Sequence, residues 1–473
     1  MRQQASALEA QPLFSYLLLL AIILLEGFVT ISVEILTIRQ LMPSVGNSVL
    51  VTSLIIGVFL LFLAYGYRRG GDYTSGYRQK LQTNFTIAAI LTGIGLSYTF
   101  ITLFFTTIQY FFKLHTLITL TIYLLLVVAP IVYLLGQTVP ITVNLFKYEN
   151  EKSIGAVSGK VLHLSTLGSF LGAVLTTVIL MNFLGVAWTV VINFSMLILL
   201  VFLLMDNFKK ELLRIFLLLG GLVLIVQFNL STEKSWFLST TPYGNYHVKK
   251  DFPLTSDNQG NLLMINDSAS SFVNDKKQGF EYIEYIKQIL FDDLALQNKK
   301  ILVLGAGGFT LSAERDNGNE FTYVDIDPEI KPITEQHFLN NIKGKFYAED
   351  ARTYVKNTNQ YYDVIISDVY SNKITIPAHL LTREHFQAIK DRLAPNGIAI
   401  FNVIARPTLE DAYSKRVDNT IRSVFPSCTA APMSYKTIIG NIIYVCRTSA
   451  REGDQQFYTD NKNSSTMDFF SLR

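Results

Sequence analysis

Three aspartates in the second half of this sequence stand where they could grip a nucleoside and move a proton. Asp325 closes the run Phe321-Thr-Tyr-Val, Asp350 follows an apolar stretch at about 345–348, and Asp368 follows Asp363-Val-Ile-Ile-Ser367. Ahead of them, Ile301-Leu-Val-Leu304 enters a turn, Gly305-Ala-Gly307-Gly308. Wound α/β sheets bind ligands outside the carboxyl ends of their strands, where all three acids fall. Glycines let the backbone approach a ligand, and a helix start beyond them would offer free N–H groups. Asp325, twenty residues past Gly305, can accept both hydroxyl protons of a ribose. Asp350 can accept a hydrogen bond from an adenine amino group, and Asp368 reaches the reaction side. A dinucleotide fingerprint would want Gly or Ala at position 310, and Thr310 stands there, so NAD is disfavoured. Asp327, before Pro328, reads better as a local helix cap. Capping is also the alternative for each of the three acids singly; three in succession behind a glycine turn argue for one site.

The elements that must position them alternate. Strands are expected at about 301–304, 321–325, 345–348, 362–367 and 397–403, with helices near 309–315, 328–339, 351–357, 382–393 and 408–423. That order predicts a parallel sheet with helices on both faces. Before it, Tyr246-His-Val and Leu262-Leu-Met-Ile-Asn266 flank the turn-rich Asp257-Asn-Gln-Gly260, predicting a small β-rich segment, and a helix is expected at about 279–295. Residues from about Thr448 onward are polar and are expected to be loose.

The first half has another texture. Seven apolar stretches, at about 14–36, 48–66, 86–112, 117–136, 161–183, 186–205 and 212–229, are long enough to cross the roughly 30 Å core of a bilayer as helices. The first is too long for a signal-peptide core and lacks a small-residue cleavage site. The expected organisation is a polytopic membrane domain over 1–230, a small β segment and helix over 231–296, a nucleotide-cofactor domain over 297–447 and a polar tail over 448–473. Basic residues gather in alternate loops (Arg68, Arg69, Arg78 and Lys80; Lys147, Lys152 and Lys160; Lys209, Lys210 and Arg214), against Arg39 and Lys113 on the other side. This places the amino terminus inside and, after seven spans, the soluble half outside. A cofactor made in the cytosol argues the other way, and the sequence leaves the side open. Gly168 and Gly172 form a small-xxx-small pair suited to close helix packing within the bundle or, less well, to a dimer face. Glu26, inside the first span, could attract a cationic substrate or serve as a structural carboxylate.

Half of the residues are hydrophobic, mean hydropathy is +0.31 and the net charge is only +3, which gives no reason to expect a nucleic-acid partner. Two cysteines, Cys428 and Cys446, are too few for a disulfide framework and are expected as small thiols in or near late strands. The six histidines do not cluster; His379 and His385 lie six apart, so no metal is expected.

Over roughly 241–405 the sequence resembles the spermidine synthase (polyamine aminopropyltransferase) family, within the wider S-adenosylmethionine-dependent transferase fold. The likeness is carried by Leu263-Met-Ile-Asn-Asp, Asp275, Tyr282-Ile-Glu284, Val303-Leu-Gly-Ala-Gly-Gly308, Val324-Asp-Ile-Asp-Pro328, Asp350-Ala-Arg352 and Tyr362-Asp-Val-Ile-Ile-Ser-Asp368. Ile376-Pro-Ala-His-Leu-Leu-Thr-Arg-Glu-His-Phe386, Leu393-Ala-Pro-Asn-Gly397, Ile55-Ile-Gly-Val-Phe-Leu-Leu and Leu164-Ser-Thr-Leu-Gly-Ser-Phe-Leu-Gly172 are similar to its membrane-linked branch. The resemblance implies an α-helical transmembrane bundle followed by an α/β transferase-like domain. Its co-substrate would be decarboxylated S-adenosylmethionine, or S-adenosylmethionine itself, with a small amine as acceptor, a lipid bilayer around the bundle and a homodimer allowed. It implies that Gly305, Gly307, Gly308, Asp325, Asp350 and Ala351 hold the nucleoside, that Asp368 is the catalytic base, and that Ser270, Tyr282, Tyr370 and Ser371 line the acceptor's place.

The sequence also departs from that family. Its synthases carry an Asp in the glycine-rich loop that grips the aminopropyl ammonium; here the loop is one residue shorter and reads Gly307-Gly308-Phe309. A second family Asp, three residues past the catalytic one, is replaced by Ser371, and a nucleoside-contacting Gln by Ser270. Two charge-assisted hydrogen bonds, at roughly 1.5–3 kcal/mol each, are thereby lost to a dicationic substrate. Three readings follow: an aminopropyl- or alkyl-transferase with an altered acceptor, a methyltransferase using S-adenosylmethionine, or a non-catalytic sensor or transport-linked homologue.

Overall fold

A computed structural model describes residues 12–46, 48–149, 154–205, 211–266, 268–370, 376–447 and 457–470. The chain divides into two compact units, one of 1–42 and Val51–Trp236, the other of Pro43–Leu50 and 237–473.

The first unit is helical: α1 Pro12–Val45, α2 Val49–Gly71, α3 Tyr77–Gly95, α4 Tyr98–Phe112, α5 Thr116–Tyr123, α6 Ala129–Gly136, α7 Thr138–Glu149, α8 Ile154–Leu175, α9 Val186–Leu203 and α10 Leu212–Trp236. The π-helical turns Leu124–Val128 and Thr176–Leu184 extend α5 into α6 and lengthen α8. Six helices among the described residues are long and apolar enough to cross a bilayer, and a seventh span results if α3 and α4, bent by 70°, count as one. The expected span at 86–112 is therefore broken. Ser97 stops the helical path and caps α4, its Oγ accepting from Phe100 N–H at 3.2 Å. Gly168 and Gly172 face α1 so closely that a Cβ would fall 2.1 Å from the Leu24 carbonyl oxygen and 2.3 Å from that of Phe28. The pair serves packing within the bundle. Glu26 is buried in the same region, and Thr30 Oγ1 donates to its Oε1 at 2.7 Å.

The second unit begins with an antiparallel sheet: β1 Ser239–Thr240, β2 Asn245–Thr255, β3 Asn258–Ile265 and β4 Ser268–Asn274, in the order β1-β2-β3-β4. Its first long hairpin turns at Ser256–Asp257, because Thr255 pairs with Asn258. The Asn258-Gln-Gly260 stretch expected as turn is thus strand. Helix α11, Glu281–Gln288, follows and buries Ile283 and Ile286.

The main sheet holds β5 Lys300–Leu304, β6 Glu320–Asp325, β7 Lys345–Ala348, β8 Tyr362–Ser367, β9 Leu393–Ala405, β10 Ser427–Pro432 and β11 Gly440–Arg447. Helices α12 Ile330–His337, α13 Ala351–Asn357, α14 Arg383–Asp391 and α15 Ala412–Val424 connect its strands. The order is β10-β11-β9-β8-β5-β6-β7, with β9 to β7 parallel and the β10–β11 hairpin antiparallel. The all-parallel expectation is corrected: a short hairpin after α15 can only return antiparallel, so the sheet is mixed. Ile301, Val303, Val364, Ile366, Ile398 and Ile400 are buried in one core with α11 and with Tyr246 and Leu263 of the small sheet. That shared core fixes the small sheet against the crevice end of the large one.

Three further expectations are corrected. The helix at 309–315 is a single 3-10 turn, Thr310–Ser312. Phe309 adopts a left-handed φ of 56°, which breaks the helical path and lodges its ring against Tyr323 and Phe346. The cysteines are not free thiols. The β10–β11 register sets Cys428 directly opposite Cys446, with Cα atoms 4.1 Å apart, and they form a disulfide. Finally, the tail is packed where it is described. Tyr458 is buried, and helix α16, Ser465–Phe470, sets Phe469 against Tyr413 and pairs Asp468 with Arg416 of α15.

Candidate active site

The sheet order places the three aspartates in a row. Asp368 ends β8, the glycine turn ends β5, Asp325 ends β6, and Glu349-Asp350 follows β7. With strands about 4.8 Å apart, the row from Asp368 to Asp350 spans about 14 Å. The chain leaves β5 toward β6 on one side and adds β8 on the other, so the glycine turn lies at the point where the winding reverses.

Gly305 holds a φ of +89°, and a Cβ there would meet the Asp368 carbonyl oxygen at 2.2 Å. Only glycine permits both the left-handed backbone and this approach of the turn to the β8 end. The turn is tied down elsewhere as well. Gly305 N–H donates to the Val324 carbonyl at 2.8 Å, and Asp368 N–H to that of Leu304 at 2.9 Å. Gly308 N–H donates to Ser271 Oγ at 2.8 Å. Ser271, on β4, is the residue that holds the loop; Ser270 Oγ stands 3.8 Å from where a Gly307 Cβ would lie. Sequence reasoning expected Ser270 to line the acceptor's place and did not single out Ser271, whose buried position in the strand is a signal that could have found it.

Asp325 accepts from Ala306 N–H at 3.0 Å through Oδ2 and from Asp327 N–H at 3.1 Å through Oδ1. Each oxygen keeps further acceptor capacity. Burial pushes its carboxyl up to about 6, against the pull of these N–H groups. Asp350 caps α13, taking Thr353 N–H on Oδ1 at 2.9 Å, while Oδ2 lies 3.2 Å from His379 Nε2. The His379 contact, first among the causes, holds Asp350 well below the usual carboxylate range. Ala351 is the buried first residue of α13. Asp327 does cap locally, accepting Glu329 N–H at 3.0 Å, and also takes the hydroxyls of Thr241 at 2.5 Å and Tyr246 at 2.6 Å on Oδ2.

At the other end of the row, Asp368 is gripped on both oxygens. Tyr282 Oη donates to Oδ2 at 3.0 Å and Asn402 Nδ2 to Oδ1 at 2.8 Å. Burial raises its pKa, and these two bonds lower it by less. Asn441 Nδ2 in turn donates to Asn402 Oδ1 at 2.9 Å, so the amide cannot flip without losing a partner at each end. Tyr370 stands beside this group, but its hydroxyl is already used: it donates to the Asn402 carbonyl at 3.0 Å and accepts Ile404 N–H at 2.9 Å. It shapes the wall and does not offer a free polar group. Ser371 lies outside the described residues. Asn402 and Asn441 went unnoticed in the sequence, although a lone Asn inside the apolar run Ile398–Ala405 is a readable sign of a buried polar task.

Such a row can bind a flat, hydroxyl-bearing nucleoside over β5 to β7 and present a half-buried carboxylate at β8. Among the described residues no group of three or more His, Cys, Asp or Glu could hold a metal ion.

Comparison with known proteins finds its matches in the second half of the chain. Residues 272–455 match the spermine/spermidine synthase domain. The polyamine aminopropyltransferase of Vibrio vulnificus is 31% identical over 160 residues, covering 32% of this chain and 51% of that protein. Polyamine aminopropyltransferase 2 of Pseudomonas aeruginosa is 26% identical over 179 residues, covering 36% and 50%. The chain thus spans about half the length of these curated relatives. Among solved structures, a probable spermidine synthase from Corynebacterium glutamicum is 25% identical, with a TM-score of 0.37, covering 45% of this chain and 79% of that one.

Proposed function

We propose that this chain, whose carboxy-terminal half carries a spermidine synthase-like domain, is a membrane-anchored transferase that moves an aminopropyl or related alkyl group from an adenosyl sulfonium to an amine. The observation that carries the reading is the order along the sheet edge. A carboxylate with two fixed donors stands at β8, a glycine turn at β5, a carboxylate held by two backbone N–H groups at β6 and a helix-capping carboxylate after β7. The parts of an adenosyl group, from reactive end to base, run in that same order.

The residues fit such a group. Asp325 would take the ribose hydroxyls on its remaining lone pairs, Asp350 and Ala351 would border the adenine, and Gly305, Gly307 and Gly308 would allow the close approach. The aminopropyl end would meet the Ser270 hydroxyl and no carboxylate, since the loop has none. Decarboxylated S-adenosylmethionine, when bound, supplies a carbon already activated by its sulfonium.

The chain's own chemistry is proton handling. An amine is protonated near neutral pH and cannot attack until it loses that proton. Asp368 would first hold the ammonium, then take its proton as the freed lone pair forms the C–N bond and the C–S bond breaks, the electron pair leaving with the sulfur of methylthioadenosine. Its raised pKa makes it a stronger base than a surface carboxylate. Tyr282 and Asn402 keep it aimed, which saves the ordering cost at the moment of reaction.

The amino-terminal unit is assigned to the bilayer on the length and apolarity of its six or seven spans. Full-length protein in detergent, given decarboxylated S-adenosylmethionine and an amine panel, is expected to release methylthioadenosine, and Asp368→Asn to abolish that release. Release of S-adenosylhomocysteine from S-adenosylmethionine would make it a methyltransferase instead. Calorimetry without binding of either adenosyl compound would leave only a non-catalytic role.

A further inference from the structure

We infer that the second unit, with its candidate active site, lies on the non-cytosolic face of the bilayer, and that α3 and α4 together make a single crossing. This rests on the bilayer assignment of the helical unit and holds whichever reaction the site performs.

The number of crossings decides the side, and helix length alone allows six or seven. Side chains at the helix ends decide between them. Gln40, near the end of α1, donates through Nε2 to the Leu96 carbonyl at the α3–α4 bend, at 3.0 Å. Just past the bend, Thr99 Oγ1 donates to Thr232 Oγ1 at 2.9 Å, and Tyr98 packs edge-on against Trp236. Thr232 and Trp236 belong to the last turns of α10. The ends of α1 and α10 therefore share one face of the bundle with the bend. At the opposite face, Gln82, near the start of α3, donates to the Leu204 carbonyl after α9 at 2.9 Å. Its Oε1 accepts from Arg214, at the start of α10, at 3.3 Å. Helices α1 and α10 thus run the same way, so the count is odd and reaches seven. The second unit agrees, since it contains the α1–α2 connection Pro43–Leu50 together with 237–473.

Charge and sulfur chemistry say which face is which. Lys and Arg gather at the α2–α3, α7–α8 and α9–α10 connections, the face of Gln82 and Arg214. The opposite helix ends carry Arg39, Lys113 and Lys234. Basic connections stay in the cytosol, and a large folded domain crosses largely regardless of its own charge. Helix α10 therefore delivers the second unit to the other side. The cysteines agree independently. The chain has two, and both are spent in the Cys428–Cys446 bond across β10 and β11. Cytosolic thiols are kept reduced, whereas such a pair persists in an oxidising compartment.

The consequence concerns supply. Under the transferase reading, a sulfonium donor made in the cytosol needs a carrier, because a fixed charge does not cross the apolar core unaided. A transport step would then precede the transfer.

The test uses the full chain in a bacterial host converted to spheroplasts, with a membrane-impermeant maleimide and the wild-type chain as background. Ser256→Cys sits at the exposed β2–β3 turn, Lys436→Cys in the exposed β10–β11 connection and Ser75→Cys in the exposed α2–α3 connection. The first two are expected to label fully in intact spheroplasts, with no gain on permeabilisation. Ser75→Cys is expected to label only after permeabilisation. The reverse pattern, or equal labelling of Ser75→Cys and the other two before permeabilisation, overturns the inference and leaves the bilayer reading intact. Extraction of the chain from membranes by alkaline carbonate removes the bilayer reading and the inference with it. As a second readout, decarboxylated S-adenosylmethionine and an amine panel added outside should yield methylthioadenosine without permeabilisation. Turnover that appears only after permeabilisation also overturns the inference.

Discussion

Asn402 donates to Asp368 Oδ1 at 2.8 Å from the strand next to the one Asp368 ends, and Asn441 holds the donor in place from the strand beyond. The direction of this carboxylate is therefore set by two neighbouring strands. Asn402→Leu would leave one carboxylate oxygen without a donor. Because that bond lowers the Asp368 pKa, its removal should raise it further. The acid limb of the pH–rate profile should move to higher pH and kcat should fall about tenfold or more, in keeping with about 1.5–3 kcal/mol for a hydrogen bond to a charged group. An unmoved acid limb would mean that the amide only fills space.

Gly305→Ala should cost more than a surface glycine change. Its φ of +89° strains any side chain, and the added methyl would press on the Asp368 carbonyl. Left-handed strain alone is about 1–2 kcal/mol. The expected result is a lower thermal midpoint together with loss of methylthioadenosine release. Wild-type kinetics in this variant would show that the turn need not touch the β8 end.

Nucleoside binding should depend on pH through Asp325, whose carboxyl is pushed up to about 6. Folding penalises its ionised form, so this group's contribution to stability grows as pH falls from about 6 toward its ordinary value. Ligand binding runs the opposite way, because ribose hydroxyls donate to the ionised form. Affinity for methylthioadenosine should be flat above pH 6.5 and weaken by up to tenfold per pH unit below about 6. Calorimetry from pH 5 to 8 checks this; a flat profile in the wild type would remove Asp325 from the ribose.

Tyr246→Phe deletes one of the two hydroxyls that donate to buried Asp327. The full chain in detergent should lose about 1.5–3 kcal/mol in denaturant unfolding of the second unit. A change below about 0.5 kcal/mol would mean that Thr241 alone satisfies the carboxylate.

The disulfide makes a simple prediction. Purified, unreduced protein should present no free thiol to Ellman's reagent, and two after denaturation and reduction. Two reactive thiols before reduction would overturn the pairing.

What the sequence disclosed was periodic or punctuated. Strands ending at Asp325 and Ser367 were legible because apolar runs stop at acids, and the two long strand–helix alternations because each has its own period. The bilayer-length helices were legible from continuous apolarity. The rest depended on partners distant in the chain. Nothing near Cys428 reveals that a hairpin will return Cys446 to face it. Nothing near Asp368 reveals that its donors come from residues 282 and 402. The missed break at Phe309 is of another kind: a buried aromatic took a left-handed backbone to reach Tyr323, and packing overrode the local helical signal.

Asp327 has a consequence of its own. One carboxylate oxygen fastens the loop before β2 and a residue within β2 to the segment that follows β6, while Ser271 on β4 fastens the glycine turn. The antiparallel sheet is thus stitched to both banks of the crevice, and neither bank can swing aside alone. Occupancy at the crevice should slow amide hydrogen exchange in β4 in step with the glycine turn, as if a guest had bolted two doors hung on one frame.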